Sequence, residues 1–150
     1  MGKQTSTGVK LYVAVGLPAT QDQVGYEAMT WAEVGEVVDL PEYGPDVQVV
    51  ESNPLATGIT EKVPGFINYG SLAIGMALDP NDLGQIALDS ALPVGGVKQP
   101  HSFHIQYSAA LSEYFFGSVF SNKRSTGSAN SMVGSTVNTE IDSPVTRVTV

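Results

Sequence analysis

Between Ser71 and Leu78 the chain alternates strictly: Leu72, Ile74, Met76 and Leu78 fall on one side, Ser71, Ala73, Gly75 and Ala77 on the other. A period of two marks a strand with one large-apolar face. The small residues opposite let another backbone lie close. Asp79-Pro80 then stops the strand. Asp79 is placed to accept hydrogen bonds from free amides at a helix start, and Pro80 to stand at the first helical position. Asp82 adds negative charge to the first turn, which the helix dipole favours. Leu83, Ile86, Ala87 and Ala91 follow at helical spacing, and Leu92-Pro93 with Gly95-Gly96 end the run. One amphipathic helix of about three turns is expected, plugging one side or end of a β structure.

The remaining elements are strands. Val9 to Gly16 puts Val9, Leu11, Val13 and Val15 on one face. A second strand sets Ala32, Val34, Val38 and Leu40 against Glu33, Gly35, Val37 and Asp39, and Glu36 breaks its apolar face. After a Pro/Gly turn, Val47 to Ser52 is a third strand with Val47 and Val49 inward. His101 to Ala109 alternates with Phe103, Ile105 and Tyr107 on one face. Glu113 to Asn122 is aromatic-rich, and Lys123 to Gly127 is a tight basic turn. Ser128 to Asp142 places Val133, Val137, Thr139 and Ile141 on one side, and Val145 to Val150 is a short last strand. The fold class is mainly β (α+β): a small sandwich or barrel with one flanking helix, forming a single domain over 1–150. Residues 1–8 are polar and aperiodic, and form a flexible arm. Gly2 with Ser6 fits the loose myristoylation pattern, but a polar arm is the reading adopted. Residues 53–64 (NPLATGITEKVP) are a long connection too poor in large apolar residues to bury itself, so it is expected to dock on something else.

Charge and chemistry narrow the function. The net charge is −8 and uneven: residues 1–89 carry twelve acids against Lys3, Lys10 and Lys62, whereas 90–150 are close to balanced. Gripping nucleic acid needs a basic surface. There is no cysteine, which excludes disulfides and thiolate sites. No apolar run approaches a membrane span, and no leader peptide is evident. His101 and His104 point to opposite faces of one strand and cannot share a metal. Asp79-Pro80-Asn81-Asp82 lacks the ligand spacing of a calcium loop. Glu33 and Asp39, six apart on one strand face, stand roughly 20 Å apart, too far for a glycosidase pair. The aromatic run Tyr114–Phe120 is simplest as core. No cofactor, metal or catalytic constellation is expected, and no enzyme.

Taken in order, four features resemble the tail tube (major tail) proteins of long-tailed bacteriophages, the lambda-like siphophage group. They are Trp31 to Leu40 followed by its Pro/Gly turn, the 53–64 loop ending in Pro64-Gly65, the strand Gly70–Leu78 running through Asp79-Pro80 into a helix over Asp82–Ser90, and two strands, Phe116–Ser121 and Ser128–Ile141, joined by a basic turn. The resemblance spans about residues 10–148. It implies a structural virion protein of the tail, assembled in the host cytoplasm. Such proteins form hexameric rings that stack into a hollow tube, each subunit donating strands to an inner β-barrel with the helix outside. DNA passes non-specifically through the lumen, and an arm or long loop reaches the next ring. Tail terminator, tape measure and tail tip proteins are the implied partners, with no membrane. By face alternation the lumen candidates are Glu33, Asp39, Gln48, Asn138 and Glu140. An acidic lumen keeps phosphates from sticking. The inter-ring candidates are Leu55, Thr57, Ile59, Glu61 and Lys62. Some relatives carry a C-terminal immunoglobulin-like domain, and none is expected in a sequence running to Val150. Two alternatives stand beside this reading. One is the inner tube of a contractile tail or secretion apparatus, which needs a sheath-binding surface. The other is a monomeric β-sandwich module for carbohydrate or a virion surface, which needs an exposed aromatic platform at Tyr114–Phe120.

Overall fold

A computed structural model describes residues 3–149; Met1, Gly2 (with its lipidation pattern) and Val150 lie outside the described residues. The elements in order are β1 (Lys10–Val15), α1 (Gln23–Glu27), β2 (Ala32–Val34), β3 (Val37–Asp39), β4 (Asp46–Ser52), β5 (Glu61–Asn68), β6 (Ser71–Ala77), α2 (Leu83–Asp89), β7 (Pro100–Ser108), β8 (Leu111–Ser125), β9 (Gly134–Ile141) and β10 (Thr146–Thr149). The main antiparallel sheet runs β2-β1-β7-β8-β9-β6-β3, with β10 added beside the start of β8. β2 and β3 sit at opposite ends of that order, yet only Gly35-Glu36 separates them in the chain. The sheet therefore curls until its two edges meet at this corner, giving a half-barrel. Glu36 takes φ 59 to make the corner, and its carbonyl accepts from the Ala77 amide at 2.8 Å.

The alternation holds where it was strongest. Leu72, Ile74 and Met76 of β6 are buried, opposite Thr139, Val137 and Ser135 of β9. Leu11 and Val13, Val34, Phe103 and Ile105, Phe115, Val119 and Ile141 complete one concave core. Burying side chains of this kind gains about 1.5–3 kcal/mol each.

Four expectations are corrected. The second strand is two strands, because the Gly35-Glu36 corner resets the alternation: Val37 packs on the core while Val38 is exposed. The helix is capped by Asp82, not by Asp79 and Pro80. The Asp82 carboxylate accepts from the Gln85 amide at 2.9 Å and from the Gly35 amide, 47 positions away, at 3.0 Å. Asp79 instead closes a turn by accepting from the Asn81 amide at 3.0 Å. This places Gly84, Gln85, Leu88 and Ala91 inward and leaves Leu83 and Ile86 exposed. Gly84 is the close-contact point, since a Cβ there would sit 2.4 Å from the Glu33 carbonyl. Last, Lys123 and Arg124 continue β8 rather than forming a turn, and Arg124 pairs with Asp89 of α2 at 2.8 Å.

Gln85 fastens this corner. Its amide nitrogen donates to the Gly35 carbonyl at 3.0 Å and the Ala77 carbonyl at 2.9 Å, and its oxygen accepts from the Asp79 amide at 3.0 Å. One buried side chain thus joins the β2–β3 corner, the end of β6 and the start of α2. A second, shorter helix, α1, precedes β2. Asp22 caps it by accepting from the Gly25 amide at 2.8 Å.

Candidate assembly surfaces

The chain between Asn53 and Pro64 is the end of a hairpin, not a free loop. β4 and β5 pair only with each other, with a register shift between Val47 and Val49. Every residue of both strands is exposed. Val47 and Val49, expected inward, are therefore outside any core, as are Val50, Val63, Phe66 and Ile67. Alternation puts Val47, Val49 and Ile67 on one side of the ribbon and Val50 and Val63 on the other. A two-stranded ribbon is marginal in water by itself, and this one exposes apolar side chains on both faces.

Of the inter-ring candidates, Leu55, Thr57 and Ile59 occupy the tip and Glu61 and Lys62 the first two positions of β5. The tip is closed by the Gly58 amide donating to the Pro54 carbonyl at 3.1 Å and by the Thr60 hydroxyl donating to the Asn53 side chain at 2.8 Å. Leu55 is fully exposed and Phe66 is 87% exposed. Sequence reasoning missed Val50, Val63, Phe66 and Ile67. The available signal was two apolar runs flanking a turn-rich segment, without the alternation of a half-buried strand.

The hairpin springs from a tight base. Gly44 and Gly70 approach so closely that a Cβ on Gly70 would lie 2.6 Å from the Gly44 carbonyl. Next to Gly44, the Tyr43 hydroxyl bonds that of Tyr107. Burial pushes the Tyr43 phenol far above its ordinary range, with Tyr107 and Glu113 adding to the effect. Burial likewise raises Tyr107. Both hydroxyls stay protonated, and the link pins the chain where it leaves the main sheet.

The convex face of the main sheet has two halves. Over β3, β6, β9 and the end of β8 it is polar or small. Asp39 pairs with Gly75, Gly75 with Thr136, Thr136 with Lys123, Ala73 with Asn138, and Ser71 with Glu140. Asp39, Asn138 and Glu140 thus share one surface, which also holds Lys123. Glu33 lies on the same side by alternation but on β2, four strands from β9. Gln48 is on the hairpin, off this sheet. Over β1, β7 and the start of β8 the face is aromatic and covered: Tyr26, Tyr114 and Val148 form a second small cluster with Met29 and Trp31. Of the Tyr114–Phe120 run, Tyr114 and Phe115 are buried, Phe116 is half-buried and Phe120 is 48% exposed, so the run does not present the continuous aromatic platform that a monomeric binding module needs.

No protein-family model matches the chain, and no curated protein matches it. Solved structures do. A chain of the anti-feeding prophage (AFP) baseplate matches with TM-score 0.73 at 9% identity, over 100% of this chain and 98% of that one. A chain of the sheath-tube complex of the extracellular contractile injection system PVC, in its extended state, matches with TM-score 0.66 at 11% identity, over 94% of this chain and 89% of that one. The SPP1 tail tube matches with TM-score 0.64 at 15% identity, over 95% of this chain and 77% of that one. These likenesses establish the fold as that of tail tube proteins. It is shared between a phage tail tube and contractile injection systems, so the fold singles out no siphophage group.

Proposed function

We propose that this chain is a structural subunit that polymerises, as stacked hexameric rings, into the hollow tail tube through which phage DNA reaches the host. The carrying observation is the β4–β5 hairpin: apolar on both faces, exposed along its length, and without a partner element among the described residues. It supports a reading in which the tip residues Leu55, Thr57 and Ile59, with Glu61 and Lys62, contact the next ring while the ribbon is covered by neighbouring copies. The polar half of the convex face, carrying Asp39, Asn138 and Glu140, lines the lumen. Its small side chains give DNA little to grip, and Lys123 tempers the acidity there. Glu33 extends that wall, whereas Gln48 belongs with the hairpin contact. Tail terminator, tape measure and tail tip proteins are the partners this role calls for, in a virion tail assembled in the host cytoplasm. No catalytic role is part of it.

A second reading, the inner tube of a contractile tail or injection apparatus, is favoured by the full-length similarity to a chain of the AFP baseplate. Both readings need the hairpin. Replacing Val49 and Phe66 together by Ser removes exposed apolar surface and so leaves monomer stability within about 0.5 kcal/mol. Sedimentation velocity is expected to show the wild type assembling with concentration and the double variant staying monomeric. Unchanged assembly by the double variant overturns the reading.

A further inference from the structure

His104 of β7 is the centre of the covered aromatic half-face. Its ring lies between Tyr114, at a centroid distance of 4.2 Å, and Tyr12, at 5.0 Å, both stacked. Trp31 meets it edge-on at 5.6 Å. The Trp31 indole N–H donates to the Tyr26 carbonyl at 2.9 Å, tying it to α1, and Tyr26 stacks on Tyr114 at 5.3 Å. The His104 ring is thus wedged between two strands and the α1–Trp31 segment. Its Nε2 is buried, with no hydrogen-bond partner among the described residues. A neutral imidazole tolerates an unpaired ring nitrogen used as an acceptor. An imidazolium has an N–H there, which must find water or an acceptor.

We propose that His104 is the key of an acid-released latch: neutral, it holds the α1–Trp31 segment on the sheet; protonated, it releases that segment while the concave core stays folded. The two events separate because the main core lies on the opposite side of the sheet and shares no side chain with this cluster. The groups facing His104 are Tyr12 from β1, Tyr114 from β8 and Trp31, with Glu27 of α1 acting on its charge, Tyr26 stacked on Tyr114 and Glu33 of β2 beside Tyr12. Among these only Glu27 and Glu33 carry charge at neutral pH, and both are exposed. Burial lowers the His104 pKa below 6.5, and the Glu27 carboxylate partly opposes this. A histidine lowered in the folded state favours the closed latch above its unfolded value. That preference is lost as pH falls through the folded one.

The protein's one tryptophan is Trp31, so its emission reports the latch directly. Titrating the full chain from about pH 8 to about pH 4.5 at low salt is expected to shift Trp31 emission to the red, with a midpoint below pH 6.5. Far-UV circular dichroism is expected to stay unchanged across that step. The His104→Phe variant keeps the stack without the proton and is expected to lose the step. Should that variant not fold, Glu27→Gln serves instead: it removes an exposed carboxylate that steadies the closed imidazolium, and is expected to move the midpoint to higher pH. A step that persists in His104→Phe, a flat emission profile, a Trp31 change coincident with loss of far-UV signal, or a Glu27→Gln midpoint that moves to lower pH would each overturn the latch.

Discussion

Replacing Gln85 by Leu tests whether one side chain closes the half-barrel. The side chain is almost wholly buried and makes three hydrogen bonds to backbone groups at 2.9 to 3.0 Å. Leucine fills similar space but leaves the Gly35 and Ala77 carbonyls and the Asp79 amide without their partner. At about 1 kcal/mol net for each bond, and more for any group that water cannot reach, the loss is about 3 kcal/mol. For a domain of this size that lowers Tm by roughly 6–12 °C. In urea it lowers the midpoint by about 1–3 M at an unchanged slope. The measurement belongs in the Val49→Ser, Phe66→Ser background, because assembly would add its own stability. Gln85→Leu also replaces polar by apolar surface, so a loss under about 1 kcal/mol would mean that water or leucine packing substitutes for the bonds, and the corner would not depend on Gln85.

Other consequences follow from the same geometry. Gly84→Ala forces a Cβ to 2.4 Å from the Glu33 carbonyl; its helix-propensity gain of about 1 kcal/mol is expected to be outweighed, leaving a net loss of about 1–3 kcal/mol by urea titration. Asp82→Ala is expected to cost about 1–2 kcal/mol and Asp79→Ala clearly less, because only Asp82 caps α2 and also holds the Gly35 amide. Ile74→Ala in the concave core is expected to cost about 2–5 kcal/mol, whereas Phe66→Ser is expected to leave the monomer melting curve in place and to reduce assembly on a sizing column.

What the sequence made legible is what periodicity can carry. The alternation in β6 and β9 named the buried face correctly because each strand has one wet side and one dry side. The phase of α2 was not legible, because its buried face carries Gly84 and the polar Gln85, and its exposed face carries Leu83 and Ile86. Only the contacts to Gly35 and Glu33, some fifty positions back, explain that inversion. Two aspartates three residues apart were each fit to cap the helix. The choice fell to Asp82 because its carboxylate also satisfies the Gly35 amide. The Gly35-Glu36 corner was hidden because Glu36 takes a positive φ that side chains of its type rarely adopt. The hairpin was half-legible. Its tip is poor in large apolar residues, and the two it has, Leu55 and Ile59, are exposed, but its strands carry valine on both sides and so show no period to read. For the lumen candidates, the ladder joins Asp39, Asn138 and Glu140 on one surface and places Gln48 elsewhere, a grouping that needs tertiary pairing and not local pattern.

A hollow tube built from copies of this chain, as proposed, is large enough to be seen directly. The direct measurement is cryo-electron microscopy of the purified chain, dilute and concentrated, with image averaging. Hollow stacked rings are expected at high concentration, sixfold in projection, with density from each hairpin bridging to a neighbouring copy and the Asp39, Asn138 and Glu140 surface facing the channel. Particles that remain monomeric at every concentration, including when seeded with preformed tail tips, would contradict it.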